Sequence, residues 1–446
     1  MDIKQLYQLY RQHPCITTDS RDCPEGSIFL ALKGESFDGN KFAAQALQKG
    51  CAYAIVEKRP DDADTDDERY IVVDDTLQTF KDLAREHRRQ FEIPVVGITG
   101  TNGKTTTKEL IAAVLATQYN VLATQGNFNN DVGVPKTLFR LNEQHDIAII
   151  EMGASHPGDI KTLVETAEPT CGLITNVGKA HLLGFGSFEG VKKTKGELYD
   201  YLRDHELEGL NNGFIFVNTD DENLMQMADE RTLVFMAGYG TRDDEDTVVV
   251  GKVVACDPYL RFSWHLNDEE EDAEEFSVAT RLVGTYNIYN MLAAISVGLF
   301  FDVPPADINA ALEAYTPTNN RSQLTETQRN HLIVDAYNAN PTSMGAALRN
   351  FRDMQVEPKM AILGDMRELG DASAEEHQRA VDLMKEYGLS EVWLVGEEFA
   401  HTDCAYRKFH DVEEVKQALA SQPVSGHYIL IKGSNSTKLY QLPELL

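Results

Sequence analysis

One stretch constrains this chain more than any other. An apolar, β-branched run, Val95-Val96-Gly97-Ile98-Thr99, leads without a break into Gly100-Thr101-Asn102-Gly103-Lys104-Thr105-Thr106. Leu110, Ile111, Val114 and Leu115 then recur at helical spacing. Strand, glycine turn and helix in that order make a phosphate cradle. Glycines let backbone N–H groups approach phosphate oxygens, and the helix start adds the positive end of its dipole. Gly100, Thr101, Asn102, Gly103 and Thr106 are the expected cradle residues, with Lys104 reaching the terminal phosphates of ATP and the Thr105 hydroxyl binding Mg²⁺. The spacing is Gly-x-x-Gly-Lys-Thr; the longer Gly-x-x-x-x-Gly-Lys form would need glycine where Ile98 stands. The alternative is a glycine-rich turn that binds nothing.

Bulk properties narrow the rest. A chain of 446 residues is long enough for about three domains. A net charge of −30 argues against a nucleic-acid scaffold and against binding to anionic membranes. Six cysteines stand without C-x-x-C spacing, which points to reduced thiols in a cytosolic protein. The opening Met1–Tyr7 lacks the apolar stretch of a signal peptide, and no run of about 18 apolar residues offers a membrane span.

Taken in order, the expected class is α/β in three domains. Residues 1–78 read as a small α/β domain, with strands at Ser27–Leu32 and Ala52–Val56 and a helix over Lys41–Lys49. Asp61–Arg69 reads as a solvated, charged loop and Thr76–Phe91 as a connecting helix. Residues 79–315 form the central ATP-binding domain around a mainly parallel sheet. Buried strands are expected at Asp146–Glu151 and Gly172–Val177, and short antiparallel strands at Val248–Ala255, Leu260–Leu266 and Phe276–Val283. The acidic run Asp268–Glu275 reads as a solvated hairpin tip. From residue 316 to 446, strands at His331–Asp335, Met360–Leu363, Val392–Val395 and Tyr428–Ile431 alternate with helices, the pattern of a Rossmann-like parallel sheet.

Ligands in open α/β sheets bind at the carboxyl ends of strands. Thr99, Glu151 and His181 should converge there. Glu151 is the second expected metal ligand, a strand-ending acid beside a phosphate loop; the alternative is a surface acid. His181 follows a strand of the same sheet, and a structural histidine is its alternative. Lys195, in Gly190–Tyr199, reads on its own as part of a solvated basic face. Asn287 and Asn290 are three residues apart, on one helix face, where they would either meet an adenine edge or cap the helix. Arg321 lies in a turn-like linker, Thr316–Arg321. It is either an ordinary linker arginine or one that neutralises a transferring phosphoryl group after hinged domains close.

Together these stretches resemble the Mur ligase family, ATP-dependent amide-forming enzymes of peptidoglycan synthesis. The resemblance covers essentially the whole chain. Asp19-Ser20-Arg21, Gly26–Gly34 and Phe37-Asp38-Gly39 are similar to the family's uridine-nucleotide-binding domain; Gly100–Thr105 is similar to its phosphate loop. Gly126–Asn130, Glu151–Ser155, His181–Gly186, Lys193–Glu197, Asp335–Pro341 and Leu363–Gly370 follow in the family's order. The resemblance implies ATP contacts from Asn287, Asn290, Arg321 and Asp335. It implies substrate contacts from Ser20, Arg21, Lys33, Asn127, Asn129, Asn130, Ser155, Tyr337, Asn338 and Asn340. It implies a metal set of Thr105, Glu151, His181 and Lys195, the last carbamylated, with Lys104, His181, Lys195 and Arg321 acting in catalysis. Two positions depart from the family: Asn40 stands where histidine is usual and Asn435 where arginine is usual.

The implied reaction joins D-Ala-D-Ala to UDP-MurNAc-tripeptide through an acyl phosphate, in the cytoplasm, with a monomer expected and neither nucleic acid nor membrane as partner. The Asn338-Ala339-Asn340-Pro341 stretch, and the lack of an Asp-Asn-Pro-Arg run, favour dipeptide addition over a sister ligase that adds one amino acid. A folylpolyglutamate synthetase, or a nucleotide switch with no amide-forming step, are the competing readings.

Overall fold

The structure, a computed structural model, describes residues 1–34, 37–61, 64, 66–205, 213–233, 235–267, 274–317 and 323–446. Arg321 and most of the Asp268–Glu275 run lie outside the described residues. Three sheets carry the chain.

The first sheet is parallel, in the order Ile16–Thr17, Ile28–Leu30, Tyr53–Val56, Tyr70–Val72. Its outer strands and the opening helix Ile3–Gln12 were not anticipated from sequence; two- and three-residue strands are too short to show a period. The expected helix at 41–49 is instead a 3₁₀ turn, Gly39–Phe42, followed by Ala43–Gln48. Helix Thr76–Arg88 sends Phe80 and Leu83 into the first core and Ala84 into the central one.

The central sheet has nine strands. Six are parallel, in the order Val121–Ala123, Ile147–Glu151, Val95–Thr99, Cys171–Ile174, Phe214–Asn218, Met236–Gly240. Thr247–Cys256 continues them in parallel, and Tyr259–Leu266 and Phe276–Val283 extend the same sheet antiparallel. Every residue of Val95–Thr99 and Ile147–Glu151 is buried, as expected of strands covered on both faces. Val96 and Ile98 face a core shared with helices Lys104–Leu115 and Ile288–Phe300; Val95 faces the opposite core, beside helices Asp159–Ala167 and Phe188–Asp204. Leu110, Ile111, Val114 and Leu115 are fully buried, a contribution of roughly 1.5–3 kcal/mol each relative to exposure.

The third sheet runs Gln323–Glu326, His331–Asp335, Tyr428–Lys432, Lys359–Gly364, Val392–Val395, Arg407–Phe409. Only the first of these pairs antiparallel. Several polar contacts join this unit to the central one, two of them near the phosphate loop. Asn340 Nδ2 donates to Asn102 Oδ1 (2.8 Å), and Lys179 Nζ donates to the buried Glu376 carboxylate (3.0 Å).

Arg88 clips the connection between the first and central sheets. Its buried guanidinium donates to the carbonyls of Phe91 (2.7 Å) and Ile93 (3.1 Å). Arg88→Met removes those donors from part-buried carbonyls, a loss of about 1 kcal/mol. The urea unfolding midpoint should fall accordingly, and an unchanged midpoint would show that the clip carries no load.

Candidate functional site

The order of the central strands fixes the site. Val95–Thr99 lies between Ile147–Glu151 and Cys171–Ile174, so the loop leaving it has a carboxylate on one side and the Thr175-Asn176 turn on the other. The third strand was expected to continue to Val177, but it leaves the ladder at Ile174 to hold that loop. Asn176 O accepts from Thr101 N (2.9 Å), Asn176 Oδ1 accepts from Asn102 N (3.0 Å), and Thr175 Oγ1 donates to Asn102 O (2.6 Å).

Two glycines are required by this geometry. Gly100 has φ +143°, and a Cβ there would lie 2.0 Å from Thr175 Oγ1. Gly103, at φ +81°, precedes helix Lys104–Leu115, and its Cβ would meet Asn290 Oδ1 at 2.7 Å. Lys104 curls back over the loop, donating to Gly100 O (2.7 Å) and Thr101 O (3.1 Å). The loop opens into a cleft of about 1420 Å³, lined by residues of the central and third units.

Glu151 is 1% exposed. Its Oε1 accepts from Thr105 Oγ1 (3.2 Å) and Asn129 Nδ2 (2.8 Å). Its Oε2 is buried without a hydrogen-bond donor, and the Lys108 ammonium stands 3.8 Å away. A buried carboxylate oxygen with no donor, next to a hydroxyl, suits a hard divalent cation. Lys108, itself buried and donating to Thr124 O (2.7 Å), was not singled out from sequence, although its place one turn beyond Lys104 was visible. Among the described residues no three His, Cys, Asp or Glu side chains converge on a point that would hold a metal.

His181 lies on the same cleft, with left-handed backbone (φ 51°), and its Nδ1 pairs with Glu368 of the third unit. Burial holds its pKa below the usual histidine value; Glu368 opposes this, while the charges of Lys104 and Lys195 reinforce it. Glu368 belongs to the Leu363–Gly370 stretch, where the sequence alone assigns it no role.

Lys195 is 2% exposed, so the solvated-face reading of its stretch is wrong for this residue, though right for its exposed neighbour Lys193. Val191, Thr194, Lys195 and Leu198 form the buried face of helix Phe188–Asp204 at i, i+3, i+4, i+7. The Lys195 ammonium lies 5.7 Å from the centre of the Phe185 ring, with no hydrogen bond from the described residues. Burial, then the charge of Lys104, pushes its pKa well below the ordinary lysine value, against the pull of Asp159 and Glu197.

The other expected residues divide into two groups. Asn127, Asn129, Asn130, Ser155, Asp335, Tyr337 and Asn338 line the cleft, and Asn340 bonds to its loop. Asn287 and Asn290 also reach its edge, but their amides already have protein partners. Asn287 Nδ2 donates to Val283 O (2.9 Å), Asn290 Nδ2 to Asn287 Oδ1 (2.8 Å), and Asn290 Oδ1 accepts from Thr107 (3.0 Å). Ser20, Arg21 and Lys33 do not line this cleft. Arg21 pairs with Asp19 (2.7 Å), Ser20 O accepts from Lys49 Nζ (2.7 Å), and the Lys33 backbone forms an isolated antiparallel bridge with that of Asp38. Asn40 braces the first sheet, accepting from Glu57 N (2.8 Å). Asp335 is ion-paired to Lys432 (2.5 Å), a partner not assigned from sequence.

Comparison with known proteins gives a consistent result. The chain matches the Mur ligase family catalytic domain over residues 14–88, the Mur ligase middle domain over 98–298 and the Mur ligase glutamate ligase domain over 320–435. It is 32% identical to the UDP-N-acetylmuramoyl-tripeptide–D-alanyl-D-alanine ligase of Bacillus subtilis, over 96% of this chain and 92% of that one. Among solved structures it resembles MurF from Acinetobacter baumannii, with a TM-score of 0.86 at 30% identity, covering 99% of this chain and 97% of the other. It also resembles the Thermotoga maritima MurF ligase in complex with ADP, with a TM-score of 0.84 at 26% identity, covering 97% and 96%.

The buried lysine has a stability signature. Its folded pKa is depressed, so between that value and the unfolded value of about 10.4 the unfolded chain holds the extra proton, and stability rises with pH. In metal-free, bicarbonate-free buffer, Lys195→Met should melt at a higher temperature than the parent at pH 7. The difference should shrink towards pH 10. A lower melting temperature at pH 7 would contradict the assignment.

Proposed function

The chain belongs to the Mur ligase family, and from that premise we propose how its cleft works. It is an ATP-dependent ligase of peptidoglycan precursor synthesis that joins D-Ala-D-Ala to UDP-MurNAc-tripeptide. The observation that carries the working model is the junction of two stretches across one cleft. The phosphate loop, through Asn102, touches the Asn338–Pro341 stretch, through Asn340. Phosphoryl transfer and dipeptide delivery are thereby held to one place.

A carboxylate is a poor electrophile and is repelled by ATP. In our reading the helix start at Lys104 and the backbone N–H groups of Gly100–Thr106 hold the phosphates, and Lys104 moves from the loop carbonyls onto the phosphate tail. Arg321 would bring a second cation from the linker. The tripeptide carboxylate attacks the γ-phosphorus, ADP leaves, and the acyl phosphate that forms is a good electrophile. The dipeptide amine then attacks the acyl carbon; the amide bond forms as phosphate leaves and the nitrogen loses its proton. Closure of the third unit over the loop keeps water from the acyl phosphate.

Thr105, Glu151, His181 and Lys195 would hold Mg²⁺, which would supply positive charge to offset the anionic phosphates. Lys195 suits this role only after a change of sign. A neutral amine adds CO₂ and releases a proton, leaving a carbamate oxygen that a hard cation prefers. Its burial, with no hydrogen bond from the described residues, supports that reading. Ser20, Arg21 and Lys33 are assigned to the uridine end of the substrate, away from the reacting atoms. All six cysteines are free thiols and, among the described residues, no helix is long and apolar enough to cross a membrane. The free thiols support the cytosolic placement we propose.

Phosphate release should require both UDP-MurNAc-tripeptide and D-Ala-D-Ala, with single D-Ala, L-Lys or L-Glu inactive as acceptors. Comparable release without the dipeptide would point to a nucleotide switch. Faster turnover of diaminopimelate with a UDP-dipeptide would point to the single-residue-adding sister enzyme.

Lys195→Ala should be nearly inactive and partly rescued by acetate, which supplies the missing oxygen ligand. Lys195→Arg should be inactive with or without acetate, because guanidinium stays charged. An active Lys195→Arg enzyme would exclude the carbamate.

A further inference from the structure

Lys432 ends a central strand of the third sheet and is 1% exposed, yet it lies on the wall of the cleft. Its ammonium donates to Asp335 Oδ2 (2.5 Å) and faces Asn338 O at 3.5 Å. Among the described residues, it is the one cationic side chain that the third unit contributes to the cleft lining. Burying an ion pair is weak as a source of stability, because desolvation offsets the attraction. A pair kept at the wall of a ligand cleft calls for another explanation.

The incoming dipeptide supplies one. Its amine must face the acyl phosphate, on the side of Lys104 and His181, where the lysine is committed to phosphate and the neutral imidazole to metal. Its C-terminal carboxylate then points the other way and loses its water. Asn340 touches Asn102 of the phosphate loop and Asn338 O faces Lys432, two residue steps apart. Two steps of extended backbone span at most about 7 Å, close to the length of a dipeptide. A point charge with three donors can keep Asp335 and still present a donor to an arriving carboxylate.

We propose that Lys432, oriented by Asp335, binds the C-terminal carboxylate of the incoming dipeptide and so makes the enzyme select a free acid. The inference rests on the dipeptide-adding function. Asp335 acts as a positioning residue: its carboxylate directs the ammonium towards the cleft and offsets part of the cost of burying it.

The test compares D-Ala-D-Ala with its C-terminal amide as acceptors in phosphate release, using the full-length enzyme with ATP, Mg²⁺ and UDP-MurNAc-tripeptide. The parent enzyme should prefer the acid by about 10-fold or more in kcat/KM, since a site built for one polar group rejects the analogue lacking it. In Lys432→Met the preference should collapse to near unity. Lys432→Met leaves Asp335 buried and unpaired, so the Asp335→Asn/Lys432→Met double variant is measured beside it. Asp335→Asn alone, which retains the ammonium, should still prefer the acid. Calorimetric binding of the two dipeptides to the nucleotide-loaded protein gives the same comparison for any variant too slow to assay. A parent enzyme indifferent to the amide, or a Lys432→Met enzyme that keeps the preference, overturns the proposal. A parent enzyme that releases no phosphate with D-Ala-D-Ala overturns the dipeptide-adding function instead.

Discussion

Glu151 has a carboxylate oxygen buried at the end of a fully covered strand with no hydrogen bond to quiet it. Much of the molecule is arranged around that oxygen. The strand beside it starts the phosphate loop, so Thr105 faces the other oxygen of the same carboxylate. Asn129 reaches in from the asparagine-rich loop. Lys108, one helical turn past Lys104, supplies a compensating charge at 3.8 Å, while Thr124 Oγ1 accepts from the Glu151 backbone N–H. An arrangement of this kind is poor economy for a fold alone, because desolvating an ion is expensive. It becomes intelligible once a divalent cation is part of the chemistry.

Charge is handled on two scales. The chain as a whole carries −30, and its substrates are themselves polyanions. Long-range attraction therefore does nothing for substrate capture, and the site depends on short-range devices: a helix start, backbone N–H groups and a few buried cations screened from the bulk field. Lys104 and Lys195 lie near enough to influence each other, and burial together with the charge of Lys104 disfavours the charged form of Lys195.

The elements legible in sequence were those that repeat a period long enough to be seen. Val95–Thr99 with its glycine loop and helix, the antiparallel strands at 247–283 and the alternating third unit all do so. Ile16–Thr17 and Tyr70–Val72 do not. At the site, Glu151 and the loop could be argued from residue type and position. Lys195 could not be argued from composition, since basic residues usually mark a solvated face; the i, i+3, i+4 spacing of its buried neighbours was the available signal. Long-range pairs left no trace in local pattern. Nothing near His181 announces Glu368, and nothing near Asp335 announces Lys432, because each pair is joined only when separate elements are brought together. The asparagines at 287 and 290 show the converse case: their spacing was right, but their amides are largely taken up by the protein itself.

His181 and Glu368 both hold left-handed backbone, at φ 51° and 64°, while their side chains meet across the cleft. The conformation would suit glycine or asparagine, and the contact requires an ionisable side chain. No single residue type satisfies both demands without cost. Replacement by glycine relaxes the backbone and erases the contact; a β-branched residue fails on both counts. Mutational drift at either position is therefore confined to a narrow set of neighbours, set by geometry as well as by chemistry, and the two positions are expected to change together or hardly at all.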